Sequence, residues 1–207
     1  SVFEDIAPVL ADSTVVSDVG SVRGTLVADA RQVFGKSSCN YCPVHPIAGG
    51  EKTGVDAAVP SLFVGANAIV TPLEETTEVS RSVWRKLWAA TGANLLEMTV
   101  AEHDSIFASV SHLPHVVAFA LVNAVLSMGS PERRLHLAGP GFRDTTRIAA
   151  SSPTMWRDIC LSNQKALLES LLSYKANLEF ICQAIEKGDG QKIEEFFERS
   201  AKARRGL

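Results

Sequence analysis

Residues 116–128 read VVAFALVNAVLSM and form the longest apolar stretch of the chain. The stretch includes Asn123 and is shorter than the roughly 20 residues that a membrane-spanning helix needs, so we predict no membrane span. It ends a longer helical pattern over residues 100–128, which Pro114 should kink near Ser111 and His112. A segment this long and apolar predicts a helix that is buried on all sides.

The pattern stays helical toward the C-terminus. Residues 153–187 predict a second long helix with apolar positions at spacings of mostly three and four, ended by Gly188 and Gly190, and residues 191–203 predict a final helix. Long helices that are apolar on more than one face commonly pack against a partner chain. We therefore expect a homodimer formed through residues 116–128 and 167–185, with more than about 2,000 Å² buried.

The pattern toward the N-terminus is different, because short apolar runs alternate there with helical segments. Predicted strands cover residues 14–19, 40–44, 67–71 and 94–98. A helix over residues 76–90 should turn Val79, Val83, Leu87 and Trp88 inward. These patterns predict an α/β plus all-α fold class, in which the C-terminal part of a Rossmann-type domain precedes a helical dimerisation domain.

The predicted division separates residues 1–72, to which the short strand 94–98 can be added, from the helical residues 73–207. A family resemblance carried by four sequence runs implies that the first part is a partial nucleotide-binding domain and the second a helical dimerisation and substrate domain. The chain has 207 residues, 46% of them hydrophobic, so it can bury a substantial core. Its formal net charge of −3 gives no electrostatic reason to bind nucleic acid. No secretory signal pattern is present, so we expect a cytoplasmic protein with reduced cysteines.

His45 opens the run HPIAGGEKTG over residues 45–54, in which proline and glycines predict a loop rather than regular structure. An imidazole with an unperturbed pKa near 6.5 can accept a proton at neutral pH. His45 is therefore a candidate general base, and activity should fall as the pH drops below its pKa. The alternative is a surface turn whose histidine caps a strand.

Cys39, Cys42 and His45 have a spacing found in zinc sites, with His112 or His136 as a distant fourth ligand. A lone CxxC is a weak signal, so we expect no metal. A redox role for the pair is weaker still, because a redox CxxC should open a helix, whereas the prolines around it keep the chain extended.

Three further runs accompany His45, namely DVGSVRG over residues 18–24, SHLPH over residues 111–115 and GPGFRDTTRIA over residues 139–149, which continues to MWRDI over residues 155–159. In this order the four runs resemble the prephenate dehydrogenase family, including the arogenate dehydrogenases, from about Val2 to Ile185. The resemblance implies NAD- or NADP-dependent oxidative decarboxylation of prephenate to 4-hydroxyphenylpyruvate in tyrosine biosynthesis. The alternative within the family is arogenate dehydrogenase, which gives tyrosine directly.

The resemblance also implies roles for single residues. His45 matches the catalytic histidine, and Ser21 matches a serine near the same substrate hydroxyl, which with Val19 would contact the cofactor. Arg147 matches the arginine that binds a substrate carboxylate through paired hydrogen bonds. Asp144 would share a helical face with Arg147 and orient it. Two alternatives stay open: Ser21 could cap the next helix, and Asp144 with Arg147 could be a solvated surface pair.

His115 and Glu51 match residues that line the family's substrate pocket. Trp156 resembles a residue of the family that reaches the substrate pocket from the other subunit. Gly141, in the turn at residues 139–141, resembles another such residue. Pro140 replaces a frequent glycine and Arg143 a frequent lysine, which puts the shape of that wall in doubt. For Trp156 and His112, a core or interface role is an equally good interpretation.

The G-x-G-x-x-G turn that opens a dinucleotide-binding domain is missing from the sequence. The chain also starts at Ser1 and leads directly into an amphipathic helix. We therefore expect a truncated chain that is inactive without the nucleotide-binding part. The competing hypothesis is a helical dimer that has lost catalysis and binds an aromatic or cyclohexadienyl ligand without a cofactor.

Overall fold

A computed structural model describes residues 1–49 and 54–207. Its sheet has three strands in the order β1 (Val44–Pro46), β2 (Asn67–Val70) and β3 (Asn94–Glu97). β1 runs antiparallel to β2, with His45 opposite Ile69, and β2 runs parallel to β3. Pro46 is tolerated because β1 lies at an edge of this sheet. The predicted strands at 67–71 and 94–98 are thus confirmed.

Ten α-helices follow one another in the described residues. They are α1 (Val2–Ile6), α2 (Gly24–Phe34), α3 (Glu78–Ala90), α4 (Val100–Phe107), α5 (Leu113–Leu126), α6 (Pro131–His136), α7 (Pro140–Thr146), α8 (Pro153–Ser162), α9 (Gln164–Glu186) and α10 (Gly190–Arg205). Short 3-10 turns occupy Ala7–Val9, Gly35–Asn40, Val55–Ala57 and Arg147–Ala150. The architecture is a small sheet with helices followed by a helical region, as the sequence predicts.

Two strand predictions were wrong in detail. Residues 14–19 contribute one parallel bridge between Val16 and Tyr41, because Asp18 immediately turns the chain by accepting a hydrogen bond from the Gly20 amide. The predicted strand 40–44 begins only at Val44, because a 3-10 turn continues to Asn40. His45 therefore lies in a strand, and the prediction that its surroundings cannot be regular was wrong.

The inward face of α3 also differs from the prediction. Trp88 is buried, but Val79, Val83 and Leu87 are 70%, 43% and 50% exposed. The inward stripe is instead Ser80, Trp84 and Trp88, with the two indoles against the sheet cluster of Cys42, Val44, Ala68 and Val70. The large indoles outweigh the smaller aliphatic side chains in contact with the sheet, because they bury more area.

A π-helical turn, Ala108–His112, joins α4 to α5. Pro114 has no amide hydrogen and its ring would clash with the carbonyl four residues earlier, so the wider turn absorbs the defect. The irregularity predicted near Ser111 and His112 is therefore a π-helical turn. The resulting helix, Val100–Leu126, is long and apolar enough by length and composition to cross a membrane, which residues 116–128 alone did not suggest. Only 22% of its most apolar window is buried, so burial on all sides was wrong for one protomer.

The second long helix is broken at Asn163, where the sequence predicts continuity over residues 153–187. Asn163 is buried and has φ −113° and ψ 36°, outside the helical region. Its side-chain amide donates to the Asp104 carbonyl oxygen at 2.8 Å and lies 3.2 Å from His112 Nδ1. These contacts fasten the junction of α8 and α9 to α4 and to the π-helical turn.

Candidate active site

The run at residues 18–24 folds around a buried ion pair. The guanidinium of Arg23 has no exposed surface and bonds both carboxylate oxygens of Asp18, at 2.6 and 3.0 Å. Tyr41 donates its hydroxyl to the same carboxylate, and burial raises the pKa of Tyr41, so the hydroxyl stays protonated. A Cβ at Gly20 would lie 2.5 Å from Leu26, so this turn requires glycine. The ion pair and the Tyr41 hydrogen bond therefore hold the loop that carries Val19 and Ser21 in place.

Asp104, from α4, caps the helix that follows this loop. Its carboxylate oxygens accept the backbone N–H groups of Arg23 and Gly24, each at 2.8 Å, at the start of α2. The N-cap residue of α2 is Arg23, without a side-chain capping bond of its own. The alternative in which Ser21 caps this helix was therefore wrong. The Ser21 hydroxyl is left available to the adjoining cleft.

His45 is half-buried on β1 and joins a second histidine. Its Nδ1 lies 2.8 Å from Nε2 of His103, which has no exposed surface, and Nδ1 of His103 lies 2.8 Å from Asp104 Oδ1. The ring of Phe107 packs against both imidazoles, with centroids 4.9 Å from His45 and 4.5 Å from His103. His45 is thus held by a hydrogen bond on one nitrogen and by an aromatic contact on its ring.

The protonation state of His45 departs from the expectation of an ordinary histidine. Burial, followed by the proximity of His103 and Arg23, lowers the pKa of His45 to about 3. The pH below which activity is expected to fall therefore lies well below 6.5. The ring remains neutral, with one nitrogen unprotonated, throughout the physiological range.

A cleft of about 840 Å³ opens beside His45 and has the size of small-molecule sites. It lies between the loop after the Val16 bridge, the end of β1 and the helices of the C-terminal half. The predicted residues that line it are Val19, Ser21, His45, His115, Arg147 and Trp156. The structure brings these six together although they span most of the chain.

The wall opposite His45 is formed by His115 and Trp156. Burial is the main cause that lowers the pKa of His115, and the charge of Arg147 acts in the same direction. His115 Nδ1 lies 2.9 Å from the Ser111 carbonyl oxygen, so this nitrogen carries the hydrogen of the neutral ring. Arg147 is exposed and lies at the start of the 3-10 turn that follows α7.

Other predicted residues lie elsewhere. Asp144 and Gly141 are exposed on α7 and do not belong to the lining that the described residues give the cleft. Glu51 lies outside the described residues. Trp156 lines the cleft of its own chain and is 8% exposed, so it contributes to that cleft within one protomer. Its predicted contact with a partner's site stays a prediction.

Two buried donors in the cleft lack partners. His112 Nδ1 faces the amide of Asn163, which assigns the hydrogen of the neutral ring to Nε2. That Nε2 and the indole nitrogen of Trp156 are buried without a hydrogen-bond partner among the described residues. Burial lowers the pKa of His112 to about 4, so it stays neutral. Buried donors without partners are costly, so these two N–H groups oppose the stability of the packing beside the cleft.

The sequence analysis did not identify three residues that support the cleft, His103, Asp104 and Asn163. Asp104 follows the predicted strand 94–98 by six residues, which is a position typical of site residues, but no motif includes it. The zinc alternative has no support in the geometry. Cys42 is fully buried toward the sheet cluster, with a pKa raised by burial to about 11, whereas His45 lines the cleft. No group of three or more potential metal ligands occurs in residues 1–49 and 54–207.

Comparison with known proteins identifies the family in which this arrangement of residues occurs. The family model described as the prephenate dehydrogenase nucleotide-binding domain matches residues 1–97, and the one described as the prephenate dehydrogenase dimerization domain matches residues 99–199. The cyclohexadienyl dehydrogenase of Zymomonas mobilis is 34% identical over 204 residues, covering 98% of this chain and 69% of the relative. The chain belongs to the prephenate dehydrogenase family.

Two further relatives define the extent of the match. The prephenate dehydrogenase of Lactococcus lactis is 36% identical over 96% of this chain, but this chain spans only 54% of that relative. The crystal structure of prephenate dehydrogenase from Aquifex aeolicus in complex with hydroxyphenyl propionate and NAD+ superimposes with a TM-score of 0.92 at 33% identity, over 99% of this chain and 71% of the other. The prephenate dehydrogenase fold is therefore retained across the described residues.

Proposed function

We propose that the protein containing this chain is a prephenate dehydrogenase that uses NAD or NADP and oxidatively decarboxylates prephenate to 4-hydroxyphenylpyruvate in tyrosine biosynthesis. The observation that carries the proposal is the single cleft that holds neutral His45 at one wall and the guanidinium of Arg147 at another. A proton acceptor and a carboxylate-binding cation are the two groups that a carboxylated cyclohexadienol requires.

His45 would accept the proton of the ring hydroxyl as a carbonyl develops there. Arg147 would bind a carboxylate of the substrate through charge-assisted hydrogen bonds. His115 and Trp156 would support the ring face. Glu51, Asp144 and Gly141 stay proposed substrate-pocket residues on the family resemblance alone.

Val19 and Ser21 would hold the nicotinamide end of the cofactor. Val19 is 64% exposed and lines the same cleft as the Ser21 hydroxyl, so an apolar surface and a hydrogen-bonding group lie beside His45. When bound, the nicotinamide supplies the acceptor for the hydride. The loop that carries these two residues is held by the buried ion pair of Asp18 and Arg23. It would therefore keep that acceptor in a fixed position relative to the substrate.

We also propose a homodimer in the cytoplasm. The four cysteines are unpaired thiols, in keeping with a reducing compartment. Apolar side chains with more than a third of their surface exposed occur along α5, α8 and α9, including Leu121, Leu161, Leu168, Leu172 and Ile185. A membrane could cover the apolar side chains of α5. It would not suit α9, where charged and polar residues lie between the leucines. Association of two copies of the chain would cover the apolar side chains of both helices.

The test uses the natural gene product that carries this chain. We expect prephenate to yield carbon dioxide, 4-hydroxyphenylpyruvate and reduced cofactor in equal amounts, with arogenate assayed in parallel as the alternative substrate. Faster turnover of arogenate would reassign the substrate within the family. Binding of hydroxyphenyl propionate without turnover of either compound would instead support the non-catalytic helical dimer and reject the enzyme.

A further inference from the structure

A line of three side chains leads from the cleft into the interior. His45 lines the cleft and contacts His103, and His103 contacts Asp104, with 2.8 Å at each step. His103 has no exposed surface, so water cannot substitute for either contact. Asp104 lies 59 positions after His45, and the two meet only because α4 packs against the end of β1 and the start of α2.

The far end of this line is fixed. Asp104 Oδ1 accepts from the Arg23 amide and from His103, and Oδ2 accepts from the Gly24 amide. Burial raises the pKa of the Asp104 carboxyl, but the hydrogen bonds from His103 and from the two amides outweigh it and leave this pKa below its ordinary value. A Cβ at Gly24 would come within 3.0 Å of Oδ2, so glycine permits this close approach. Asp104 is therefore an ionised, immobile acceptor.

With the His103 ring in its neutral form, the directions of these hydrogen bonds follow from that acceptor. A carboxylate cannot donate, so Nδ1 of His103 carries a hydrogen. In a neutral ring, Nε2 of His103 is then an acceptor, and Nδ1 of His45 must donate to it. Since His45 is neutral as well, its Nε2 is left unprotonated. This is the nitrogen that remains for the substrate, because Nδ1 is already engaged.

We propose that Asp104 and His103 are positioning residues that hold His45 in the Nδ1–H tautomer, so that its Nε2 is available as the proton acceptor in the cleft. The inference rests on the proposed function, in which His45 removes the hydroxyl proton. As His45 gains positive charge, the charge is stabilised through His103 by the Asp104 carboxylate. A histidine in the other tautomer would present an N–H to the hydroxyl and could not accept its proton.

The test is Asp104→Asn in the natural gene product. The asparagine amide can donate to His103 Nδ1, which reverses both hydrogen bonds and places the hydrogen of His45 on Nε2. ¹⁵N NMR of histidine-labelled protein, with His45 assigned by comparison with His45→Gln, reports which nitrogen is protonated. We expect the pattern of His45 to reverse and kcat to fall by about 10²–10⁴-fold, as for loss of a general base in the wrong tautomer, with KM changed less than about threefold.

Two further variants separate positioning from folding. His103→Gln can accept from His45 through its amide oxygen and donate to Asp104, so it should keep the Nδ1–H tautomer and retain more activity than His103→Phe. Asp189→Asn is the matched control, because Asp189 caps α10 by accepting from the Lys192 amide, away from His45. It should change neither the His45 nitrogens nor kcat.

The outcomes are distinguishable. A wild-type His45 protonated on Nε2 would overturn the proposal, whatever the activity. Equal kcat values for Asp104→Asn and wild type would likewise remove Asp104 from the positioning of His45. If the pattern reverses as expected but the wild-type protein turns over neither prephenate nor arogenate, the tautomer assignment stands and the proposed function fails.

Discussion

The imidazole of His115 lies against the indole of Trp156, with ring centroids 3.6 Å apart and planes inclined by 20°. This stack joins α5 to α8 and gives the cleft a flat wall built within one protomer. Aromatic pairs contribute about 0.5–1.5 kcal/mol beyond the area they bury. The pair therefore stabilises the packing of α8 against α5 beside the cleft.

Replacement of His45 tests the proposed base directly. His45→Asn should lower kcat by about 10²–10⁴-fold with little change in KM, because a general base acts in the transition state rather than in ground-state binding. Steady-state kinetics of the natural gene product gives both constants. His136→Asn, at an exposed position on α6, is the matched control and should leave them unchanged. Unaltered turnover in His45→Asn would remove this residue from the mechanism.

The pH dependence of the wild-type enzyme follows from the environment of His45. Its pKa is lowered to about 3, so the neutral form predominates at every pH above that value and is lost only as the pH falls through it. We expect kcat to be flat between about pH 5 and 8, where a histidine with an unperturbed pKa near 6.5 would produce a decline. A unit-slope decline of log kcat below pH 6.5 would contradict the assigned protonation state.

Arg147 should act through binding. Arg147→Ala should raise KM by about 10–100-fold and lower kcat much less, because a carboxylate contact is present in both ground and transition states and a charged hydrogen bond contributes about 1.5–3 kcal/mol. Arg147→Lys should recover part of the affinity, since it restores charge without the paired geometry. Arg31→Ala is the control, because Arg31 forms a surface ion pair with Glu75. Equal effects of Arg147→Ala and Arg31→Ala on KM would argue against the carboxylate contact.

The sequence predicts the cleft residues well where chemistry is carried by local runs. His45, Ser21, His115 and Arg147 each lie in a motif whose residue types suit proton transfer or carboxylate binding, and the fold assembles them. The hydrogen-bonding support of His45 could not be predicted in the same way. His103 is 58 positions from His45, and Asp104 is 81 from Arg23, so no local pattern relates them.

Fold prediction failed where tertiary contacts override periodicity. The α3 pattern is amphipathic in two ways, and the choice between Val79 and Ser80 as the inward register depends on the indoles that meet the sheet. The helix break at Asn163 depends on an acceptor in α4, which no window around residue 163 contains. Burial of the apolar helix α5 was overstated because periodicity reports apolar faces without saying which molecule covers them.

Buried neutral histidines should make the protein less stable in mild acid. His112 has a pKa near 4 in the folded state against 6.5 as the ordinary value. Below pH 6.5 the unfolded state therefore binds more protons, and stability falls as the pH drops toward 4, by up to about 1.4 kcal/mol per pH unit for each such histidine. The pKa of His45 is also lowered, so His45 contributes to the same loss of stability in acid.

Denaturant unfolding between about pH 5 and 6.5 measures this slope. His112→Gln should reduce the slope, since one of the three rings with a lowered pKa, His45, His112 and His115, is removed while the glutamine amide can still bond Asn163. His136→Gln, which changes an exposed histidine, should leave the slope as in wild type. A slope that is the same in His112→Gln and wild type would show that His112 is not buried as a neutral ring.

The exposed leucines of α9 should mediate association of two copies. Leu168 and Leu172 are 53% and 56% exposed, and four-residue spacing places them on one face. Leu172→Glu places a charge in a surface that dimerisation would remove from water, where burying an unpaired charge costs several kcal/mol. We expect the wild-type protein to sediment as a dimer at micromolar concentration and Leu172→Glu to sediment as a monomer with its helical circular dichroism retained.

Lys175→Glu, at a solvated position that forms an ion pair with Glu179 on the same helix, is the control and should remain dimeric. A wild-type monomer, or a Leu172→Glu protein as dimeric as Lys175→Glu, would remove this face of α9 from the interface.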